Sequence, residues 1–143
     1  MTEIEIVSKL LLDFFVEMHQ WEINAYKRLQ EREKMNDYEQ IKDAFKIAAE
    51  EVQVIYAKYL TNKPRKYTVR GNGLSSRPAY DPAGEEIKFA AQKTKSRIEI
   101  ETLQKDPVNL KHSYVFLKQN GEWRIDNKKT FWNFKDKWES TII

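Results

Sequence analysis

The chain has 143 residues, of which 41% are hydrophobic and 33% charged, a composition that suits one domain with its own core. It contains no cysteine, which excludes a disulfide framework, a thiolate metal site and a cysteine nucleophile. The formal charge is +3, but residues 1–60 hold 8 Lys+Arg against 12 Asp+Glu (−4), which leaves 17 against 10 (+7) beyond them. Opposite charges on the two halves can orient a charged partner, although solvated surfaces of an ordinary domain are the commoner explanation.

The N-terminal sequence differs from a targeting or membrane-spanning segment. Glu3 and Glu5 stand where a secretory signal carries positive charge, and Asp13 ends the short apolar run of residues 10–12. We therefore expect no signal peptide, no membrane span and a cytoplasmic location.

Two amphipathic helices are predicted in the first 60 residues. In each, apolar residues recur at alternating steps of three and four, which places them on one helical face. Thr2 with Glu5, and Asn36 with Glu39, form capping boxes ahead of the two segments. Faces of this kind pack on a sheet or on another helix. The predicted buried residues are Ile4, Val7, Leu11, Phe14, Met18, Trp21 and Ala25, followed by Tyr38, Ile41, Phe45, Ala48, Val52, Ile55 and Tyr59.

Beyond Pro64 the pattern changes from helical to strand-like. Residues 67–70 form a short strand pattern that enters a glycine-containing turn and then a loop at residues 75–82. Residues 86–92 alternate as a strand does, although their alanines would also suit a helix. Residues 97–103 alternate cleanly between isoleucines and charged residues, which predicts a half-exposed strand.

Asn120 and Gly121 predict a two-residue hairpin turn, because both residues accept a positive φ. Residues 113–119 and 122–130 then form paired strands in a fixed register. In that register Phe116 lies opposite Ile125. By the same count Tyr114 lies opposite Asn127. Two helices followed by an antiparallel meander predict an α+β domain in which the sheet curls around the helices.

Catalytic and metal-binding patterns are weak. The best acid–base pair, His112 with Asp126, projects to opposite faces of the predicted hairpin, and His19 lies alone on the first helix. Neither a His-x-x-x-His pattern nor clustered Asp/His spacing is present. The sequence therefore predicts no catalytic residue, no metal site and no cofactor.

A basic run follows the second helix. Lys63, Arg65, Lys66 and Arg70 surround Tyr67 with no acidic residue between them. Such a run can bind phosphates and stack bases, but a charged run beside a helix end is more often solvated surface. Nucleic acid is therefore the less favoured partner.

The C-terminal segment, residues 131–138, holds four aromatic residues, more than a solvated tail ordinarily carries. Aromatic residues in this density either complete a core or form a contact surface. We expect at least half of them to close one end of the sheet and the others to remain exposed as binding anchors.

Several segments resemble a known family. Residues 114–126, with their Gly-x-Trp-x-Ile ending, are similar to the hairpin of the nuclear transport factor 2-like fold. Within that fold, four stretches look like the immunity proteins that accompany bacterial polymorphic toxins, including the Rhs type. They are residues 14–22, residues 78–82 with 85–87, residues 123–126 and residues 137–139.

The resemblance implies a cone in which two long N-terminal helices pack on a curved antiparallel sheet, as a single immunity domain over residues 1–143. It implies a protein that binds the C-terminal domain of a cognate toxin and neutralises it without catalysis. Family members differ in their toxin-facing surfaces, so the candidate contacts come from expected exposure. They are Arg77, Tyr80 and Asp81 in the loop, and Trp132, Phe134 and Trp138 in the C-terminal segment.

The alternative is a small-molecule-binding or isomerase-like enzyme, because the same fold supports enzymes that work in the pocket of the cone. Residues 67–70 lack the carboxylate that the steroid-isomerase branch places near that point, although Tyr26, Tyr56 and Tyr114 would still be available to line a pocket. A pocket filled by core aromatic residues counts against this alternative.

Overall fold

The computed structural model describes residues 1–65, 74–105, 109–141 and 143. The described strands form a single antiparallel sheet in the order β1-β2-β3-β4-β5, next to two helices, which confirms the α+β fold class. Strands are confirmed at residues 86–92 and 97–103, while the strand predicted at residues 67–70 lies outside the described residues. The elements are α1 (Glu3–Glu33), α2 (Tyr38–Tyr59), β1 (Glu85–Thr94), β2 (Arg97–Gln104), β3 (Leu110–Gln119), β4 (Glu122–Trp132) and β5 (Lys137–Ser140).

Both helices begin at a side-chain cap. At α1 the Thr2 hydroxyl accepts a hydrogen bond from the Glu5 backbone N–H at 3.1 Å, as its capping pattern predicts. At α2 the Asp37 carboxylate accepts from the Glu39 N–H at 3.0 Å. The prediction that Asn36 caps α2 is wrong, because Asn36 has a left-handed φ of 53° and Asp37 supplies the extended backbone that a cap requires.

The helices pack against each other in antiparallel fashion through their predicted faces. The Trp21 indole N–H donates to the Ala48 carbonyl at 3.0 Å, and the Arg28 guanidinium binds the Glu51 carboxylate at 2.9 Å. Tyr38 is the clear exception to the predicted faces, because it is the first residue of α2 and is 73% exposed. The buried residues are Val7, Leu11, Phe14, Phe15, Met18, Trp21, Ala25 and Leu29 in α1, and Ala44, Ala48, Val52, Tyr56 and Tyr59 in α2.

The β3–β4 hairpin turns at Asn120 and Gly121, with φ values of 53° and 79°. Phe116 lies opposite Ile125, as predicted. Beyond that pair the register shifts by one residue, and Tyr114 lies opposite Lys128. The prediction that Tyr114 faces Asn127 is therefore wrong.

The shift is a β-bulge at Asp126, and it exchanges the faces of β4. The Asp126 carboxylate accepts hydrogen bonds from the Thr61 hydroxyl at 2.8 Å and the Lys63 ammonium at 3.0 Å. These bonds hold the extra residue of the bulge in place. Ile125 and Lys128 are both buried although they are three residues apart, a spacing that regular alternation would place on opposite faces. The bulge thus turns Lys128 into the interior.

Aromatic rings fill much of the space between α1 and the sheet. The ring centre of Phe14 lies 5.4 Å from that of Tyr59 and 5.3 Å from that of Tyr80. The ring centre of Phe15 lies 5.8 Å from that of Tyr80 and 5.5 Å from that of Tyr114. This filling counts against the open pocket that the enzyme alternative requires.

β1 forms one edge of the described sheet and is irregular. The register skips a residue at Lys88 and again at Lys93, so that each bulge carries a lysine. Bulges and edge lysines oppose pairing with a second chain. Phe89, on the outer face of this edge, is 58% exposed and lies at the opposite edge of the described sheet from β5.

Candidate partner-binding surface

The two segments predicted to contact a partner lie at the same end of the sheet. The register pairs Gln104 with Leu110 and Trp132 with Lys137, so the β2–β3 connection and the β4–β5 turn share the end at which the 74–84 loop enters β1. Four strand spacings of about 4.8 Å place β1 and β5 roughly 19 Å apart. One side of a standard protein interface, about 800 Å², can cover that distance.

The loop before β1 is fastened to α1. The Glu22 carboxylate accepts the backbone N–H groups of Ala79 at 2.5 Å and Tyr80 at 3.2 Å. The His19 ring donates through Nδ1 to the Tyr80 carbonyl at 2.7 Å. Burial raises the pKa of Glu22, although the two N–H groups, Lys128 and His19 oppose the shift. α1 therefore sets the position of the loop backbone.

Tyr80 is fully buried, and the expectation that it is exposed is wrong. The hydrogen bonds from Glu22 and His19 draw its backbone onto α1, and its ring packs against Phe14 and Phe15. Buried in this way, Tyr80 fixes the loop to the core, and its side chain is not accessible to a partner.

Asp81 and Arg77 differ in what their side chains do. Asp81 is half-buried; its carboxylate accepts the Ala83 N–H at 3.0 Å and its carbonyl accepts the Gly84 N–H at 3.0 Å, so it shapes the turn. Arg77 is exposed, and its guanidinium makes no hydrogen bond or ion pair with the described residues. Arg77 is thus the loop's free charged group.

The C-terminal aromatic residues form two ring pairs. The centres of Phe131 and Trp138 are 5.3 Å apart, and those of Trp132 and Phe134 are 5.8 Å apart. Phe134 is 79% exposed and Trp138 is 37% exposed, whereas Phe131 and Trp132 are half-buried. Phe131 was not among the predicted contacts; the register of the two-residue turn pairs Lys111 with Thr130, and the bulge at Asp126 brings Phe131 opposite Lys111 instead.

Lys128 lies at the centre of a buried polar cluster. Its ammonium is 3.5 Å from the Tyr80 hydroxyl, 4.5 Å from the Tyr80 ring centre and 5.6 Å from the Tyr114 ring centre. Burial lowers the pKa of Lys128 to about 8, although the carboxylates of Glu85 and Glu22 oppose the shift. Aromatic faces and nearby carboxylates compensate for burying this charge.

His112 belongs to the same interior but has a structural set of partners. Nδ1 is 3.0 Å from the Thr130 hydroxyl, and Nε2 is 3.1 Å from the Gln104 amide oxygen. Burial, assisted by the Lys128 charge, lowers the pKa of His112 to about 3, so the ring is neutral and donates through Nε2. Asp126 instead binds residues 61 and 63, and no hydrogen bond joins it to His112.

The basic run is largely occupied where the structure describes it. Lys63 pairs with Asp126, and Arg65 donates to the Asp126 carbonyl at 2.6 Å and to the Thr61 hydroxyl at 2.6 Å. Residues 66 and 70 lie outside the described residues. A cleft of about 760 Å³ opens beside Arg65, and Arg124 on its wall donates to the Ala57 carbonyl at 2.7 Å. Cations committed to protein oxygens offer little to phosphates.

Neither a metal-binding group of side chains nor a membrane-spanning helix occurs in the described part of the chain. No group of three or more His, Asp or Glu side chains there is arranged to hold a metal ion. The described helices include none with an apolar stretch long enough to cross a membrane.

Replacing Glu22 with glutamine is expected to loosen the loop, because an amide has one acceptor oxygen where the carboxylate has two. The loss of a charged hydrogen bond should reduce loop stability by about 1–3 kcal/mol. Amide hydrogen exchange at Ala79 and Tyr80 should then be at least about tenfold faster. Gln20→Ala, an exposed change on the same helix, is the control; unchanged exchange in Glu22→Gln would contradict the prediction.

Comparison with known proteins agrees with the fold and with the resemblance. Residues 6–141 match the family described as NTF2 fold immunity protein. Over 142 residues, 96% of each chain, the protein is 33% identical to Immunity protein RhsIA of Dickeya dadantii (strain 3937). No solved structure matches the chain. The protein therefore belongs to the NTF2 fold immunity protein family.

Proposed function

We propose that this protein binds the C-terminal toxin domain of a cognate Rhs-type system in the cytoplasm and thereby neutralises it. Membership of the immunity family supports the class of function, and similarity to the relative named RhsIA supports the Rhs type. In this proposal residues 1–143 form one immunity domain. Binding alone accounts for neutralisation, so no catalytic step is needed.

The observation that carries the proposal is the pair of exposed aromatic residues, Phe134 and Trp138, at the sheet end that also displays Arg77. Aromatic residues and arginine are the types most often found at the energetic centres of interfaces. We infer that Arg77, Phe134 and Trp138 contact the toxin directly. In the same proposal Trp132 supports Phe134, and Asp81 shapes the turn beside Arg77.

The test is cytoplasmic co-expression with the toxin domain encoded immediately upstream. We expect the host to survive and a one-to-one complex to be purified. An Arg77→Glu variant should protect less well, and Lys27→Glu on the exposed side of α1 should protect as the wild type does. Continued toxicity with folded wild-type protein and no complex would overturn the proposal.

A further inference from the structure

We propose that the corner of the sheet where β4 turns into β5 recognises an acidic segment of the partner protein. This corner, called here the aromatic–lysine corner, consists of Phe131, Phe134, Trp138, Lys111 and Lys129. The inference rests on the toxin binding proposed above and adds the chemistry of the toxin surface that is bound.

The register builds the corner from three strands. Phe131 of β4 lies between Lys111 of β3 and Trp138 of β5 as their direct cross-strand neighbour. The Lys111 ammonium is 5.4 Å from the Phe131 ring centre, and the Trp138 ring is 5.3 Å away on the other side. Lys129, two residues before Phe131, projects from the same face because strand side chains alternate. An ammonium group and two rings therefore share one surface.

The turn beyond this face adds a third aromatic residue. Phe134 is 79% exposed, and its ring centre lies 5.8 Å from that of Trp132, which projects from the face of β4 opposite Phe131. The Lys135 ammonium lies 5.6 Å from the Phe134 ring centre. A large apolar ring held out to solvent on a packed base is the arrangement of an interface anchor.

The free charge of the corner is positive. Glu139 is bound by Lys135 at 3.2 Å and by Lys137 at 3.4 Å, so these three charges largely satisfy one another. Lys111 and Lys129 form no ion pair with the described residues. One exposed acid, at position 136, lies in the turn. The charged residues at and beside the corner are Lys111, Lys129, Lys135, Lys137, Asp136, Glu139 and, one strand further on the face of Lys111, Glu101, which makes four positive against three negative.

An acidic protein segment fits this surface better than the other occupants. A second copy of the chain, packed through this corner around a twofold axis, would bring two surfaces of the same positive charge together. Nucleic acid binding relies on neutralising several phosphates with Lys or Arg side chains, whereas two lysines among the described residues of this corner are free of ion pairs. A peptide with Asp or Glu beside apolar residues can pair with Lys111 and Lys129 while its apolar part covers the rings.

The experiment measures affinity between the purified protein and the purified toxin domain at about 50 and 300 mM NaCl. Phe134→Ala with Trp138→Ala should weaken binding at least about 30-fold, as loss of interface anchors does. Lys111→Glu with Lys129→Glu should weaken binding about tenfold or more at low salt, mainly through slower association. The same charge variant should also show a smaller salt dependence than the wild type.

The matched control is Phe89→Ala with Lys93→Glu at the opposite edge of the sheet, which should bind within about twofold of the wild type. Phe89 is similarly exposed, and β1 is four strands from β5. Circular dichroism melting confirms that each variant is folded. Because the changed side chains are exposed or half-buried, the folded state should persist in all of them.

The outcomes separate this inference from the proposed function. If the wild type binds the toxin and the corner variants bind equally well, the inference is overturned and the function stands. If the folded wild type does not bind at all, both are overturned. Self-association that the corner variants abolish, or tight binding of a single-stranded DNA 20-mer that they abolish, would also overturn the inference.

Discussion

Replacing Phe15 with alanine is expected to lower the free energy of unfolding by about 3–5 kcal/mol. Phe15 is fully buried, and its ring packs edge-on to Tyr114 and tilted against Tyr80, with centres 5.5 and 5.8 Å away. Its removal leaves a cavity between α1 and the sheet, and two regular elements cannot move together to fill it. Urea denaturation followed by circular dichroism measures the change.

The neighbouring residue provides the control for this substitution. Val16 is 53% exposed, so Val16→Ala should change the free energy of unfolding by no more than about 0.5 kcal/mol. Phe15→Leu should cost less than Phe15→Ala, because it restores part of the lost volume. If Phe15→Ala and Val16→Ala had the same effect, the aromatic interior described for this fold would be wrong.

Acid should destabilise the protein through His112. The pKa of His112 is about 3 in the folded chain and about 6.5 when the ring is exposed by unfolding. Between these values the unfolded chain binds a proton that the folded chain does not, so stability rises with pH in that window and is lost as pH falls. At about 1.4 kcal/mol per pH unit, this one group removes about 3 kcal/mol between pH 7 and pH 4.

Carboxylates elsewhere also titrate in this range, so the effect of His112 is read as a difference. His112→Gln should lose about 3 kcal/mol less stability than the wild type between pH 7 and pH 4, because glutamine binds no proton. In the wild type, the His112 ring signals in an NMR titration should remain those of neutral histidine down to about pH 4. Parallel pH profiles for the two proteins would refute the assignment.

The helices could be predicted because their signals are local. The spacing of apolar residues in α1 predicts its buried face. Tertiary packing changes only which residues at the edges of that face are buried. The start of α2 was missed by one residue, since Asn36 and Asp37 are both good caps and only the backbone shows which one takes the left-handed conformation. Helical periodicity thus carries more information than the capping residues do.

The hairpin register was predictable only as far as the bulge. A two-residue turn fixes the nearest pairs, and those agree with the structure through Phe116 and Ile125. The bulge at Asp126 depends on hydrogen bonds from Thr61 and Lys63, which follow α2 and are more than sixty residues away in sequence. The sequence around Asp126 does not indicate those partners, and so the burial of Lys128 could not be predicted from it.

The same distinction separates the two candidate segments. Tyr80 and Phe134 both stand in polar, turn-rich stretches, yet one is fully buried and the other 79% exposed. The burial of Tyr80 depends on Glu22 and His19, which lie about sixty residues earlier on α1. Among the described residues, no comparable hydrogen bonds hold the Phe134 backbone against a helix, and Phe134 follows the end of β4. Exposure in loops is therefore decided by distant partners that composition does not reveal.

The β4–β5 turn, residues 133–136, is a place where substitutions leave the folded core unchanged. Its backbone is closed by a hydrogen bond from Lys135 N–H to the Trp132 carbonyl at 3.0 Å, and its most exposed ring, Phe134, lies outside the core cluster. A new side chain at position 134 changes the exposed surface at this end of the sheet, while the core packing remains as it was. Under the toxin contact proposed for Phe134, single substitutions at this position would change the specificity of binding without first destabilising the protein.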